Sequence, residues 1–399
     1  MQRIDKNHPT QEWISSLRRR FTTEAEVDRV LTRRLERRAG PGYTSVPLPT
    51  LVSGVESLLN AKIGSAYSVT NARWLSGGAS KLQMAFTLTW DRPGMGPEQT
   101  RMVLRMEPAE SIVETSRLRE FQLVKAFEGI VPVPTAFWCD ADAEHLPYPS
   151  MIYGFSDGVA KPTNSSSGVS GVGTRLPEQL RHKLGPQFVE HLSTIHLHDF
   201  ENAALSAFDI PTTGTTQCSE WGVNTWDRIW EEDHDEDVPV LRVASAWLRR
   251  NMPILDRPSI VHADYRTGNF LFTENDAKIT ALLDWELGRI GDRHQDLAWT
   301  THPAFGGLAE DGKTFLVGGL MTESEFLEAY EHHSGLKVNP RTLHWYRVYN
   351  SYMLAVLNLA TTYRIARNGK THQDVLVGWL IGISYMFQDD VRMLIEKGY

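Results

Sequence analysis

A switch of hydrophobic period divides this 399-residue chain into two unlike parts. Met84, Phe86, Leu88 and Trp90 alternate with Ala85, Thr87 and Thr89, the two-residue repeat of a half-buried strand. Residues 101–106 read as its partner across a turn containing Pro and Gly. Residues 115–128 change to helical spacing through Leu118, Phe121, Leu123 and Phe127, and stop at Gly129, a residue type that closes helices. Pro132 and Pro134 then break the chain ahead of two strand-like runs, 137–139 and 151–155. Beyond residue 175 the spacing predicts helices over 176–195, 239–251, 323–333, 343–363 and 372–396. The exception is one strand pair, 269–273 and 279–285, joined by Glu274-Asn275-Asp276-Ala277. A sheet with one helix, then a helical part holding a single hairpin, is an α+β arrangement of two lobes, and the length suits two.

Composition narrows the function classes. Hydrophobic residues at 41% and charged residues at 23% describe a globular chain. Cys139 and Cys218 are too few for a disulfide framework or a four-thiolate zinc site. The 41 Lys+Arg against 49 Asp+Glu give a net charge of −8, which argues against a nucleic-acid partner. The longest apolar run, 375–387, falls short of the ~20 residues a membrane span needs, and the N-terminus has no apolar signal core. The expectation is a cytoplasmic protein. Charge is uneven: residues 1–40 hold ten Lys/Arg and six Asp/Glu, a helix-like segment with Arg18, Arg19, Arg20, Arg29, Arg33, Arg34, Arg37 and Arg38. It reads as a solvated face packed on its own protein, with an acidic or membrane surface as the alternative. Six acids in seven residues at 231–237 read as a solvated loop, and the Ser/Gly-rich stretch 164–174 as a flexible one.

The hairpin carries the chemistry. Its leading loop, His262-Ala263-Asp264-Tyr265-Arg266-Thr267-Gly268-Asn269, has the pattern H-x-D-x-x-x-x-N, and Asp284 follows 20 residues after Asp264. Phosphoryl transfer from ATP needs an acid beside the acceptor hydroxyl and oxygen ligands that hold Mg²⁺ against the phosphates. A loop residue and two ligands at the start and end of a hairpin would bring all three to one edge of a sheet. The pattern resembles the protein-kinase signature.

With Leu283-Asp284-Trp285-Glu286 and Asp296-Leu297-Ala298-Trp299, these motifs are similar to those of the aminoglycoside phosphotransferase-like family of small-molecule kinases. The likeness is greatest to the branch with kinase domains fused to acyl-CoA dehydrogenases. It covers the chain from about residue 50 onward, leaving an N-terminal helical extension over 1–48 outside it, and implies a bilobal protein-kinase-like fold: a nucleotide-binding antiparallel-sheet N-lobe over 49–155 and a mainly helical C-lobe with a catalytic β-hairpin over 156–399. It implies ATP and Mg²⁺ as cofactors, Asp264 as the base, His262 as support for the catalytic loop, and Asn269 and Asp284 as metal ligands. Arg266 either meets the transferring phosphate or braces the loop, and Glu286 assists the metal or the acceptor. Asp296 is expected to tie down the catalytic loop, and His196 and His198 are expected to be structural. The family's phosphate turn matches Gly77, Gly78 and Ser80, and its cation–carboxylate pair matches Arg105 and Glu120. Most kinases use Lys where Arg105 stands, and the two are not equivalent; Lys81 is a second cation nearby. Residues 150–155 would form the hinge, with the backbone of Ile152 and Gly154 on the adenine edge.

Only a few residues separate Asp284 from Asp292, and no Ala-Pro-Glu follows, so there is no platform for a peptide. A small-molecule hydroxyl acceptor fits better. Large side chains on the later helices (Trp345, Tyr346, Tyr349, Tyr352, Met353, Leu357, Tyr363, Trp379, Tyr385, Met386) serve either as core or as an acceptor pocket, and tilt the reading toward an apolar or aromatic alcohol over a polycation. The alternative function is a nucleotide-binding pseudokinase with a regulatory or binding role. Oligomeric state is not legible.

Overall fold

The computed structural model describes residues 5–75, 81–163, 175–371 and 374–398. The expected phosphate turn (Gly77, Gly78, Ser80) and the Ser/Gly-rich stretch lie outside them.

Two helices rather than one make up the basic extension. α1 (Gln11–Arg20) begins at Thr10, whose hydroxyl accepts from the Trp13 N–H, and α2 (Ala25–Glu36) follows a break at 21–24. A third helix, α3 (Leu48–Lys62), opens on Pro47-Leu48-Pro49, where a proline in the first turn forfeits no internal bond. Its apolar face (Leu51, Val55, Leu58, Leu59) covers one side of the first lobe's sheet, burying Met84, Phe86, Leu88 and Trp90, the alternating set read from the sequence. That sheet is antiparallel, in the order β1-β2-β3-β5-β4, with β1 (Tyr67–Trp74), β2 (Leu82–Arg92), β3 (Gly96–Met106), β4 (Ala136–Asp140) and β5 (Ser150–Gly154). α4 (Arg117–Phe127) packs against β4; Ser116 caps its start, and Gly129, at φ 78°, turns the chain after its end.

The second lobe is helical: α5 (Glu178–Leu197), α6 (Gln217–Asp233), α7 (Pro239–Arg250), α8 (His294–Thr300), α9 (Glu323–Ser334) and α10 (Pro340–Val356) surround four short strands. These are β6 (Ser259–Val261), β7 (Phe270–Thr273), β8 (Lys278–Leu282) and β9 (Arg289–Gly291), with β7 paired to β8 and β6 to β9. The predicted helix over 343–363 includes a wider turn at Leu357–Thr362 before α11 (Tyr363–Arg367). The one predicted over 372–396 is two, α12 (Asp374–Gly382) and α13 (Ser384–Lys397), divided where glycine interrupts the spacing. Among the described residues no helix is long and apolar enough to cross a membrane.

Only the second half of the acidic run, residues 234–237, is the solvated loop expected of it. Residues 231–233 end α6, and Glu232 and Asp233 are fully buried. Asp233 accepts from Arg34 (2.9 Å), Arg38 (2.6 Å), Arg364 (3.0 Å) and Thr361 (2.5 Å), while Glu232 takes Arg34 (2.5 Å) and Arg228 (2.7 Å). Basic extension and acidic run are therefore two halves of one buried ionic network. Counting charges by stretch could not show this, because partners some 200 residues apart look like separate solvated faces.

Candidate active site

Two loops leave the small sheets on the same side, and their pairing is what builds the site. The loop between β6 and β7 carries residues 262–269, and the turn between β8 and β9 carries 284–288. The Leu283 N–H donates to the Asn269 carbonyl (2.7 Å), and the His262 ring bonds the Leu283 carbonyl (3.0 Å), so the loops are fastened to each other. His262 is buried and lies against Trp285, with ring centroids 4.6 Å apart, in keeping with a loop-supporting role. Beneath the loop, Asp296 accepts the backbone N–H groups of His262 (2.8 Å) and Ala263 (2.7 Å), and His196 Nε2 lies 3.1 Å from it. His196 reaches Tyr330 with its other nitrogen (2.9 Å), so this histidine is structural but bonds side chains rather than the helix end. Ala263 sits at φ 64°, a left-handed conformation unfavourable for a residue with a Cβ; the Asp296 bonds hold it there.

Asp264 is the focus of this loop. Its Oδ1 accepts from Arg266 Nε (2.8 Å) and Trp299 Nε1 (2.7 Å), and its Oδ2 from Asn269 Nδ2 (2.6 Å). Arg266 lies over the Phe305 ring, 5.2 Å from its centroid, which favours the bracing role over a phosphate contact. Trp299 went unremarked as a functional residue, although it closes the Asp296-Leu297-Ala298-Trp299 motif; sequence alone gave no reason to separate its indole N–H from its ring.

Asp284 stands across from this group at φ 66°, its side chain 28% exposed. Arg105 on β3 donates to it and to Glu286 (3.0 Å), and forms an ion pair with Glu120 on α4 (3.1 Å). The expected cation–carboxylate pair thus exists with Arg in the Lys position. Burial, with Glu286 and Asp264 nearby, outweighs Arg105 and raises the Asp284 carboxyl above its ordinary value. Burial likewise pushes Glu120 up, against Arg105 and Arg117.

Three placements depart from expectation. Glu286 is engaged by cations of the first lobe: its Oε2 meets Arg105, Arg117 (3.2 Å) and Lys81 (3.4 Å), so it knits the lobes together. Lys81 is no spare cation, since it is buried on Glu107 (2.7 Å) and Ser111 (3.0 Å). Ile152 lies inside the sheet, paired with Leu104 and Trp138 with its side chain in the core, and the Gly154 N–H donates to the Thr135 carbonyl (2.8 Å). Those backbones are engaged in the sheet and its edge, which takes Ile152 and the Gly154 N–H away from an adenine edge. Arg117, which binds Glu107 and Glu120 as well as Glu286, escaped notice; its i,i+3 spacing to Glu120 was the available signal. Of the aromatic positions, Trp345, Tyr346, Tyr349 and Tyr352 are core, whereas Tyr363, Trp379, Tyr385 and Met386 are exposed. They do not form one pocket.

The donors suit magnesium. Asn269 gives its amide hydrogens to the Asp264 side chain and carbonyl, so its Oδ1 is left for other partners, and among the described residues the Asp284 carboxylate accepts a hydrogen bond from Arg105 at Oδ1 and none at Oδ2. Two hard oxygens are what Mg²⁺ takes from a protein when phosphates and water fill the remaining positions. Among the described residues no three His, Cys, Asp or Glu side chains form a protein-only metal cage.

Residues 74–346 match the phosphotransferase enzyme family, a span that takes in both lobes and every loop just described. The chain belongs to that family. Its members' fold recurs in a candidate aminoglycoside phosphotransferase from Ralstonia eutropha (TM-score 0.64, 19% identical, covering 87% of this chain and 98% of that one). It recurs also in a macrolide 2′-phosphotransferase type I (0.53, 19%, 85% and 98%) and in a thermostable mutant of aminoglycoside phosphotransferase APH(4)-Ia solved with AMP-PNP and hygromycin B (0.50, 18%, 85% and 98%). Among curated proteins, acyl-CoA dehydrogenase family member 10 of Mus musculus is 25% identical over 246 residues, 58% of this chain and 21% of its own length. Family member 11 of Pongo abelii is 29% identical over 200 residues, 49% and 24%. The phosphotransferase chain therefore spans about a quarter or less of these two relatives. Its protein-kinase-like fold and its kinase-type family are those expected from the motifs.

Proposed function

We propose that this phosphotransferase moves the γ-phosphoryl group of ATP, with Mg²⁺, to a hydroxyl group of a small molecule. The observation that carries the reading is the triple hold on Asp264: Asn269, Trp299 and Arg266 fix both carboxylate oxygens beside the position where an acceptor would stand. In the reaction Asp264 takes the hydroxyl proton as the acceptor oxygen bonds to phosphorus and the bond to the ADP oxygen breaks. Asn269 and Asp284 would hold the metal, which neutralises phosphate charge when bound. Arg105, kept charged and oriented by Glu120, is suited to grip phosphate oxygens from the sheet side. The solved complex with AMP-PNP and hygromycin B, similar in fold, supports a nucleotide together with a small acceptor.

The acceptor is apolar or aromatic rather than polycationic. The wall beside the Asp264 carboxylate is aromatic, Trp299 against Phe305 with centroids 4.9 Å apart, and the guanidinium of Arg266, paired with Asp264 (2.8 Å), lies over the Phe305 ring, so apolar contact is what this wall offers an acceptor. The test is incubation with ATP, Mg²⁺ and a panel of hydroxyl compounds, read by mass spectrometry for one added phosphoryl group. Transfer to apolar or aromatic alcohols is expected. Preferential transfer to an aminoglycoside would overturn the acceptor class, and ADP release without transfer to any compound would overturn the function.

A further inference from the structure

The residues that match the family begin at 74, and α2 precedes them, yet α2 bonds directly to the helix that carries Glu120. It opens on Glu24, at the position where Ser, Thr, Asp or Asn ordinarily caps a helix, and the Glu24 side chain makes no capping bond. Asp209, from the loop ahead of α6, accepts the Ala25 N–H instead (2.5 Å). The Glu24 carboxylate goes to Arg119 on α4, in an ion pair with both residues buried. Among the described residues it is the one carboxylate that pairs with Arg119, whose guanidinium also lies over the Phe208 ring, 4.3 Å from its centroid. Glu26 accepts from the hydroxyl of Ser116, the residue that caps α4, and Arg29 holds Glu26 in place (2.7 and 2.8 Å). Side chains of α2 therefore meet α4 at its cap and in its first turn.

The rest of α2 is tied to the second lobe. Just ahead of it the Thr22 carbonyl accepts from Asn224 (2.9 Å), Asp28 pairs with Arg228 (2.6 Å), and Arg34 and Arg38 enter the buried network at Glu232 and Asp233. Fixed along α6, the segment holds the start of α4 in the first lobe. Arg119 and Glu120 are adjacent on a helix of 3.6 residues per turn, so a displacement of one swings the other. Removing one partner of a buried ion pair leaves the other uncompensated, which gives Arg119 a reason to move when Glu24 is changed. Glu120 in turn pairs with Arg105 on β3 (3.1 Å). We propose that α2 is a strap between the lobes, and that Glu24 and Glu26 are positioning residues for the Arg105–Glu120 pair. The proposal rests on the reading of Arg105 as the group that grips nucleotide phosphate. It gives the extension a task in nucleotide binding that the family-matched residues do not perform alone.

The test is equilibrium binding of AMP-PNP with Mg²⁺ to the full chain, which needs no acceptor. Four proteins are compared, the parent, Glu24→Gln, Glu120→Gln and the double variant, each shown to be folded by circular dichroism at the temperature of the titration. Glu24→Gln should weaken AMP-PNP by about fivefold or more, the lower end of a coupling between linked groups. Because Glu24 acts through Glu120, the double variant should bind within about twofold of Glu120→Gln, where independent effects would multiply. A purely structural role would lower the melting temperature and leave both results unmet. If Glu24→Gln does not fold, Glu26→Gln, which keeps the Glu24–Arg119 pair, takes its place in the same cycle. Affinity within about twofold of the parent in the folded variant, or losses that multiply in the double variant, would overturn the strap while leaving nucleotide binding itself intact. A parent chain that does not bind AMP-PNP would instead refute the ATP reading, and the strap with it.

Discussion

Replacing Asp233 by Ala tests whether the buried network joins the extension to the helical lobe. The side chain is 0% exposed and receives Arg34, Arg38, Arg364 and Thr361, so its removal leaves three buried guanidinium groups with less than their due of negative charge. Breaking a buried ion pair by deleting one partner costs about 3–5 kcal/mol. Unfolding entropy of about 2.1 cal/mol/K per residue over 399 residues comes to roughly 0.8 kcal/mol/K, so the melting temperature should fall by about 4–6 °C. Glu231→Gln is the control from the same acidic run: its side chain is 36% exposed and 3.6 Å from Arg20, a surface pair worth at most about 1 kcal/mol. Differential scanning calorimetry of the three proteins gives the comparison. Burial alone would raise the Asp233 carboxyl, but Arg34, Arg364 and Arg38 override it and hold the group well below the usual carboxylate range. A depressed folded value means that this stabilisation is complete above the unfolded value, near ~4, and is lost as pH falls toward the folded one. The melting temperature of the parent should therefore drop below about pH 4 more steeply than that of Asp233→Ala. Equal shifts for Asp233→Ala and Glu231→Gln, or an Asp233→Ala protein that melts within about 1 °C of the parent, would refute the reasoning.

Other outcomes bear on the site. Asp296→Asn sets an amide against two backbone N–H groups and loses charge-assisted bonds of about 1.5–3 kcal/mol each, so kcat should fall by roughly a hundredfold in an ADP-release assay. Trp299→Phe keeps the ring and removes one donor to Asp264, and should lower kcat by about tenfold or more while the KM for ATP stays as it was. Arg105→Lys retains charge but cannot span Glu120, Asp284 and Glu286 together, so the KM for ATP should rise severalfold in a folded protein, as circular dichroism would confirm.

Short-range patterns were the legible part of this molecule. The alternation at 84–90, the loop pattern at 262–269 and the spacing to Asp284 depend on a few neighbouring residues, and each led to the right element. The structural role read for Asp296 came from its motif and not from nearness, since 34 residues separate it from His262. What escaped was set by contacts between distant segments. Glu232 and Asp233 look like surface acids until Arg34 and Arg364 are brought against them. Glu286 sits two residues from Asp284 and looks like a second metal ligand, yet the turn of residues 285–287 directs it to Arg105, Arg117 and Lys81. Helical aromatics give the same spacing whether they face a core or a ligand, and Trp345 and Tyr349 are stacked on each other in the core, centroids 5.4 Å apart.

The central claim is that Asp264 serves as the base of phosphoryl transfer, and Asp264→Asn tests it most directly. The substitution preserves size, and one amide oxygen can still accept from Trp299, so the fold and nucleotide binding should survive. The measurement is the single-turnover rate of transfer to a hydroxyl acceptor that the parent phosphorylates, alongside equilibrium binding of AMP-PNP. A rate lower by 10² or more with nucleotide affinity within about threefold is the result predicted. Transfer at the parent rate would contradict the assignment.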